Sequence, residues 1–412
     1  MKKVAIIGGG ITGCVSAIYC ADLGYQVEIF EKKNSLGGII SDLEENEDIF
    51  FNGPQYYDVK SWWLKKIKKD NDFKDLFYTF KPKYGSFNDL FNKDISSKNF
   101  AQIKTEFKFK EMNINNFKFY RERVNCYQKN ISIPLEKWSK KYCKSYEILH
   151  SNCSLLMNTG RVFFSKDKKK IENLKKINNF IDELLGVPNK KIKNQKFCLP
   201  VLGNKLLFSK VENYLKKKNI KVNLNSTLKP IYNKKNINLF VNDKKINFDY
   251  SIWCANPVPL IKSSNLGVLD NPIVNVLVLA MNVELKGHLK DNLYLQVFSK
   301  KNNLFRIFIY KVKKLTKLSL EIIFDKNIDK NKEINFAIKI LKYHLIYITN
   351  HEHVIKKKEV RHMLFSANDY KKFKDYEKSQ FSTTILSGGW QLIGRENKIN
   401  YIVNNINKYI KG

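Results

Sequence analysis

The chain has 412 residues, 43% of them hydrophobic, and a formal net charge of +35 at pH 7. That is apolar content for a large core and length for two interwoven domains, and no apolar run reaches the roughly 18 to 20 residues of a membrane-spanning helix. Seven cysteines, at positions 14, 20, 126, 143, 153, 198 and 254, form no C-x-x-C pair, which argues against a disulfide framework and fits a reducing, cytoplasmic setting. The charge is almost all lysine spread along the chain, with arginine only at 121, 123, 161, 306, 361 and 395. A nucleic-acid binder concentrates arginine and aromatics in one module. No nucleic-acid partner is therefore expected, and the excess reads as attraction for a small anionic substrate or for an anionic membrane surface.

The start, Met1-Lys2-Lys3 and then apolar residues, imitates a leader, but glycines interrupt the would-be apolar region. Val4 to Ile7 instead reads as a buried parallel strand. Gly8, Gly10 and Gly13 follow at G-x-G-x-x-G spacing, and Ile11 to Leu23 reads as a helix closed by Gly24. The spacing gives a tight turn, close backbone approach to a pyrophosphate, and close packing of helix on strand. Helix N–H groups at Ile11, Thr12 and Gly13 add an anion-attracting end. A second strand, Val27 to Phe30, ends at Glu31 and Lys32, with the Glu31 carboxylate placed for a ribose diol. Strand, triad, helix, strand and acid in this order predict a dinucleotide site.

Further along, apolar spacing predicts a helix within 59–75, and 77–119 is aromatic-rich without a repeat. Ile131 to Leu135 reads as extended, stopped by Pro134. Lys137 to Met157 and Lys168 to Leu185 have helical patterns. Phe197 to Gly203 precedes a helix from Lys205 to Lys217, then strands at Ile220 to Leu224 and Ile246 to Cys254. Four strand patterns occupy 272–325, and a helix is expected from Glu333 to Ile346. His351 and His353 share a strand face, but no third ligand is near, so no metal site is expected. Arg306 stands out. In a chain that spends lysine for charge, an arginine inside an apolar strand suggests a planar contact with an anion, or else a buried ion pair. Alternation places Arg306, Phe308 and Tyr310 on one face, opposite Phe305, Ile307 and Ile309.

Glu31 is followed by Gly37-Gly38, and later by Asn52-Gly53-Pro54-Gln55-Tyr56-Tyr57. This E-x-x-x-x-x-G-G pattern resembles the FAD-binding superfamily of amine oxidases, protoporphyrinogen oxidases, phytoene desaturases and UDP-galactopyranose mutases; an NAD-binding unit with an incidental Gly-Gly turn is the alternative. The segment from Asn52 resembles the mutases' G-P-H-x-F-H, and Phe305 to Lys311 resembles their T-R-I-x-E-x-K strand, whose arginine meets a substrate diphosphate. Here Gln55 and Ile309 stand where that resemblance would place a histidine and a glutamate. At the C-terminus Gly394-Arg395 resemble the superfamily's last motif, with Asn405-Ile406-Asn407 standing in for the triplet that opens its helix.

The resemblance implies FAD, held by Gly8, Gly10, Ile11, Thr12, Gly13, Glu31, Lys32, Gly37, Gly38, Gly53, Pro54, Gln55, Gly394, Arg395, Asn405 and Ile406. Arg306, Tyr310 and Gln55 are the candidate catalytic residues, acting on a substrate with a phosphate or diphosphate, such as a nucleotide sugar or lipid-linked sugar. The fold class is α/β: a Rossmann-type, doubly wound FAD-binding domain (1–58, 195–258 and 380–412) interleaved with an α+β substrate domain (59–194 and 259–379). Hydride transfer at flavin N5 is the expected activity. A redox-neutral flavin-dependent sugar-nucleotide mutase and a flavin-binding protein without turnover are the alternatives.

Overall fold

The computed structural model describes residues 1–45, 48–90, 95–97, 117–127, 129–157, 173, 176, 196–234 and 236–411. A five-stranded parallel sheet lies in the order Lys221–Asn223, Gln26–Phe30, Lys3–Ile7, Tyr250–Trp253, Ile385–Ser387. Its central strand is apolar without alternation because both faces are covered. Val4 and Ile6 pack against the helices Ile11–Asp22, Gly203–Lys217 and Arg395–Tyr409, while Ala5 and Ile7 face a second core with Leu228, Ile237 and Leu239. Those last three belong to a three-stranded antiparallel layer, Leu228–Tyr232, Ile237–Val241 and Lys244–Ile246.

A seven-stranded sheet makes the second body, in the order Ile348–Met363, Ile273–Leu285, Leu315–Ile323, Leu304–Val312, Leu293–Phe298, Lys83–Asn88, Ile95–Ser97. Neighbours are antiparallel except for Lys83–Asn88 beside Leu293–Phe298. Ile307, Ile309, Leu318, Leu320 and Ile322 turn one face onto the helix Lys330–Tyr343, through Ile334, Ala337, Ile340 and Leu341. The opposite face is polar and aromatic and meets the segment 48–53.

Several sequence expectations need correction. Ile131 to Leu135 is not extended: Lys129–Tyr142 is one helix with Pro134 inside it. Ile131, Leu135, Trp138 and Tyr142 recur at helical spacing and are all buried, and that apolar stripe outweighs the lost proline donor. The helix stops at Tyr142 instead of running to Met157, giving way to 3₁₀ turns at Tyr146–Ile148 and Ser151–Cys153. Within 59–75 only Trp62–Ile67 is α-helical, followed by a 3₁₀ turn at Asn71–Phe73 that Asp70 caps. The strand expected over Ile246 to Cys254 is two, in two different sheets; between them Asp249 accepts the Lys3 N–H at 2.6 Å. The helical pattern at Lys168 to Leu185 lies outside the described residues.

Candidate dinucleotide site

The glycine loop leaves the central strand at Gly8, whose N–H donates to the Phe30 carbonyl (2.8 Å) and whose φ of +102° suits only glycine. A Cβ on Gly13 would lie 1.9 Å from the Gly8 carbonyl oxygen, so the helix Ile11–Asp22 can approach the strand this closely only without one. Gly10 is different. A Cβ there would have the Gly38 Cα, at 3.9 Å, as its one non-neighbour within contact range, so this side of the loop is open. Gly37 and Gly38 lie directly on it: the Gly37 N–H donates to the Gly9 carbonyl (2.9 Å), Gly10 and Gly37 form a parallel bridge, and a Cβ on Gly38 would stand 3.1 Å from the Gly10 Cα. The two glycine segments thus form one backbone-lined cradle.

Glu31 is buried beside it. One carboxylate oxygen accepts the Gly9 N–H (2.7 Å) and the other the Lys33 N–H (2.9 Å). A carboxylate has about four acceptor positions, so capacity for a diol remains. Lys32 is exposed, and the neighbouring Lys33 ammonium reaches the Gly38 carbonyl (2.9 Å). Ile11 points into the core, and Thr12 is half-buried with its carbonyl taken by the Ser16 hydroxyl (2.7 Å). Backbone N–H groups, not these two side chains, face the open end of the helix.

The segment after Phe50 is fastened to the seven-stranded sheet. Phe51 N–H donates to the Tyr310 hydroxyl (2.9 Å), Gly53 N–H to the Ser319 hydroxyl (3.2 Å), and the Asn52 amide to Glu359 (2.6 Å). Pro54 and Gln55 are half-buried, and the Gln55 N–H closes a tight turn on the Gly53 carbonyl (2.8 Å). From the other side comes the C-terminal helix, capped by Gly394 at φ +90°. Arg395 opens it, 4.8 Å over the Tyr57 ring and donating to the Tyr56 carbonyl (3.5 Å). Burial pulls its pKa below the ordinary guanidinium value. The helix start at Gly394-Arg395 is thereby brought beside the Tyr56–Tyr57 end of this segment. Asn405 and Ile406 are not at that helix start. The helix begins at Arg395, so they lie roughly 15 Å further along its axis. Ile406 is buried against the helix Ile11–Asp22, and these two residues are withdrawn as cofactor contacts.

Arg306 sits in the polar face beneath this segment. Its Nη1 donates to Glu321 (3.2 Å), directly opposite on the next strand, and its Nε to Gln296 (3.5 Å). Burial alone would favour loss of the proton, but the facing Tyr294 and Glu321 hold its pKa above the ordinary value. Tyr310 is two pleats away, stacked on Phe308 (4.7 Å between ring centres). Phe305 does not join Ile307 and Ile309 on the far face. A register shift between Leu304 and Arg306 turns its ring toward Trp138 and Tyr142 instead. Ile309 packs on the helix side, so the residue that replaces glutamate in the resembling motif does not face this site. Sequence reading missed Lys317, Ser319 and Glu321, which share the face; Lys317 bonds Asp48 (3.1 Å) and the Ile49 carbonyl (2.8 Å). Their strict alternation with Leu318, Leu320 and Ile322 was the available signal. His351 lies on an exposed edge strand, and no cluster of three metal-ligand side chains occurs among the described residues.

Residues 6–77 match the NAD(P)-binding Rossmann-like domain. Curated relatives are 4,4'-diapophytoene desaturases of Staphylococcus aureus, one 42% identical over 85 residues that make up 19% of this chain and 17% of the desaturase. Another is 42% identical over 52 residues, only 10% of its length, so the likeness spans a small part of those enzymes. Whole-chain likeness is to solved structures. A reduced UDP-galactopyranose mutase superposes with a TM-score of 0.68 at 13% identity, over 100% of this chain and 94% of the mutase. A protein of Exiguobacterium sp. assigned as a protoporphyrinogen oxidase gives 0.64 at 11% identity, over 100% and 99% of the two chains. A putrescine oxidase double mutant gives 0.56 at 10% identity, over 100% and 99%. The chain is thus an α/β protein with a Rossmann-like dinucleotide-binding unit, set in the fold that these three proteins share.

Proposed function

We propose that this chain binds FAD and acts as an oxidoreductase on a small anionic substrate, of the nucleotide-sugar or lipid-linked-sugar kind. The observation that carries the cofactor reading is the Gly37-Gly38 segment laid on the Gly9-Gly10 backbone, with open space above Gly10. In the flavin-binding pattern that this segment resembles, a glycine pair at this place lets the backbone pass close to the cofactor. In this reading the first-turn amides of the helix Ile11–Asp22 and Gly10 hold the pyrophosphate, and Glu31 takes the ribose hydroxyls. The Gly53–Gln55 turn and the Gly394-Arg395 helix start flank the ring. When bound, FAD supplies the electron-pair chemistry, taking up or returning a hydride at N5. The chain's contribution is placement: Tyr310 and Ser319 fix the 51–53 backbone, and the Arg306 N–H groups not used by Glu321 and Gln296 meet the substrate anion.

One observation favours a second reading. Because Ile309 faces away from the site, its difference from the mutase pattern takes nothing from the polar face, and redox-neutral sugar-nucleotide isomerisation keeps its scaffold. The test begins with the purified protein, which is expected to carry FAD. Gly10→Val should abolish flavin retention while leaving the Tm of the flavin-free protein unchanged, since its side chain enters open space. A colourless protein that binds NAD but takes up no FAD overturns the cofactor reading. Stoichiometric flavin reduction by substrate supports the oxidoreductase. Turnover of UDP-galactopyranose by the reduced protein without net electron consumption gives the mutase instead.

A further inference from the structure

Three loops meet at one end of the seven-stranded sheet. Ile273–Leu285 ends there and Leu315–Ile323 starts there, as the pairing of Val276 with Ile323 and of Asn282 with Lys317 requires. Val312 and Leu315 close a hairpin whose tip is Lys313-Lys314. Leu285 pairs with Ile348, and the Lys286 N–H donates to the Tyr347 carbonyl (2.9 Å), which ties in the turn after the helix Lys330–Tyr343. The loop 286–292 returns to Leu293–Phe298 through Asn292, whose carbonyl accepts the Lys83 N–H (2.9 Å).

The tips of these loops are apolar and exposed: Leu345 by 64%, Leu315 by 52%, Tyr343 by 48% and Tyr347 by 44%. Between them stand the exposed lysines Lys83, Lys286, Lys290, Lys313, Lys314 and Lys342. The one acid in the three loops is Asp291, which is ion-paired with Lys83 (2.7 Å). Backbone strain is concentrated here as well. Of ten described non-glycine residues with positive φ, seven are asparagine or aspartate, the side chains that tolerate it. The three exceptions are Lys234 and, in these loops, Lys313 (φ 55°) and Leu345 (φ 60°). Leu345 costs stability twice, through a left-handed backbone and an apolar side chain held in water. Such an outlier points to use.

We infer that this end of the sheet docks the protein on an anionic lipid bilayer, with Leu315, Tyr343, Leu345 and Tyr347 entering the interface and the lysines meeting headgroup phosphates. Separated apolar tips among ammonium groups match an interfacial layer that is apolar below and anionic above. A second copy of this chain would set like charge against like. A nucleic acid would be met without arginine, which these loops lack. No described helix is long and apolar enough to cross a membrane, so the contact is peripheral to the described fold.

Co-sedimentation of the full chain with vesicles tests this. Binding is expected to vesicles of phosphatidylcholine with phosphatidylglycerol, not to phosphatidylcholine alone, and to weaken with salt. A Lys313→Glu/Lys314→Glu double variant should bind roughly 25-fold or more weakly, each lysine at an anionic surface being worth about fivefold. Leu345→Asn should bind several-fold more weakly at an equal or higher Tm, which separates lost contact from misfolding. Flavin content should be unchanged in both variants. Equal binding to neutral and anionic vesicles, or anionic binding that neither variant alters, overturns the inference. So does dimerisation, or retention of a single-stranded RNA oligonucleotide, that these variants abolish while vesicle binding persists.

Discussion

In the loop Gly8–Gly13 the chemistry rests on missing side chains, whereas on the sheet face around Arg306 it rests on side chains that complete one another. A methyl group at Gly13 would sit 1.9 Å from a carbonyl oxygen, while one at Gly10 would meet almost nothing. On the sheet, Arg306 has Glu321 and Gln296, Lys317 has Asp48 and Ile49, and Tyr310 has the Phe51 N–H. The loop is thus shaped by backbone, with open space left over Gly10. The face has already neutralised itself, so a substrate there must compete with, or share, existing bonds. Charge in a buried strand is therefore a weaker guide to a ligand than empty space over a backbone turn.

The strongest way to break the comparison is Arg306→Met, which leaves Glu321 buried without its guanidinium. Losing one partner of a buried pair costs about 3 to 5 kcal/mol. Adding Glu321→Leu should restore most of that, and urea unfolding of the two variants measures it. If Arg306→Met instead keeps its stability and loses only substrate affinity, the face is a ligand site first. Arg306→Lys should fall between, because lysine keeps the charge without the fork. On the loop, Gly13→Ala should cost about 3 kcal/mol or more through overpacking against fixed backbone. An unchanged Tm with this variant would refute the close helix–strand approach.

Acid sharpens the contrast, with a smaller effect that is set by protonation. His150 is buried and stacked on Tyr370 (3.8 Å), with Nδ1 accepting the Asn152 N–H (3.1 Å), and has no carboxylate corresponding to Glu321 among these contacts. Burial, then the charge of Arg123, pushes its pKa down to about 4 from the ordinary 6.5. Between those values the unfolded chain binds the extra proton, so stability is full above about pH 6.5 and falls as pH drops toward 4. A Tm profile over that window should slope for the native protein and flatten for His150→Phe. A slope that survives the substitution assigns the titration elsewhere.

The loop could be read from sequence because its determinants are local: three glycines, a strand before them, a helix after them, and Glu31 at the next strand end. Gly37-Gly38 could be read for the same reason, although only the structure shows that the pair lies on Gly10. A buried ion pair is one of two sequence readings of Arg306, but its partner Glu321 could not be read, since it depends on the register between two strands and on a shift near Leu304. Pro134 misled because proline is a strong local signal, while the stripe Ile131, Leu135, Trp138 and Tyr142 wins only once its partners are in place. Asn405 and Ile406 failed because a motif was matched by residue type, although helical spacing runs unbroken back to Arg395.

The order in which the parallel sheet is assembled from the chain has a consequence for biosynthesis. Lys3 bonds Asp249 across 246 residues, Ile7 pairs with Trp253, and the Gly8 turn is packed against Ala255. On the ribosome Lys3–Ile7 therefore gains one neighbour early, in Gln26–Phe30, and waits for the other. At typical rates of synthesis that wait is on the order of tens of seconds. The edge strand Ile385–Ser387 and the Gly394 helix start arrive later still. During this interval the apolar edge of Lys3–Ile7 lacks one of its final strand neighbours, the state most exposed to wrong pairing. A ligand that binds only the closed Gly8–Gly13 turn would then favour the molecules whose sheet has closed correctly.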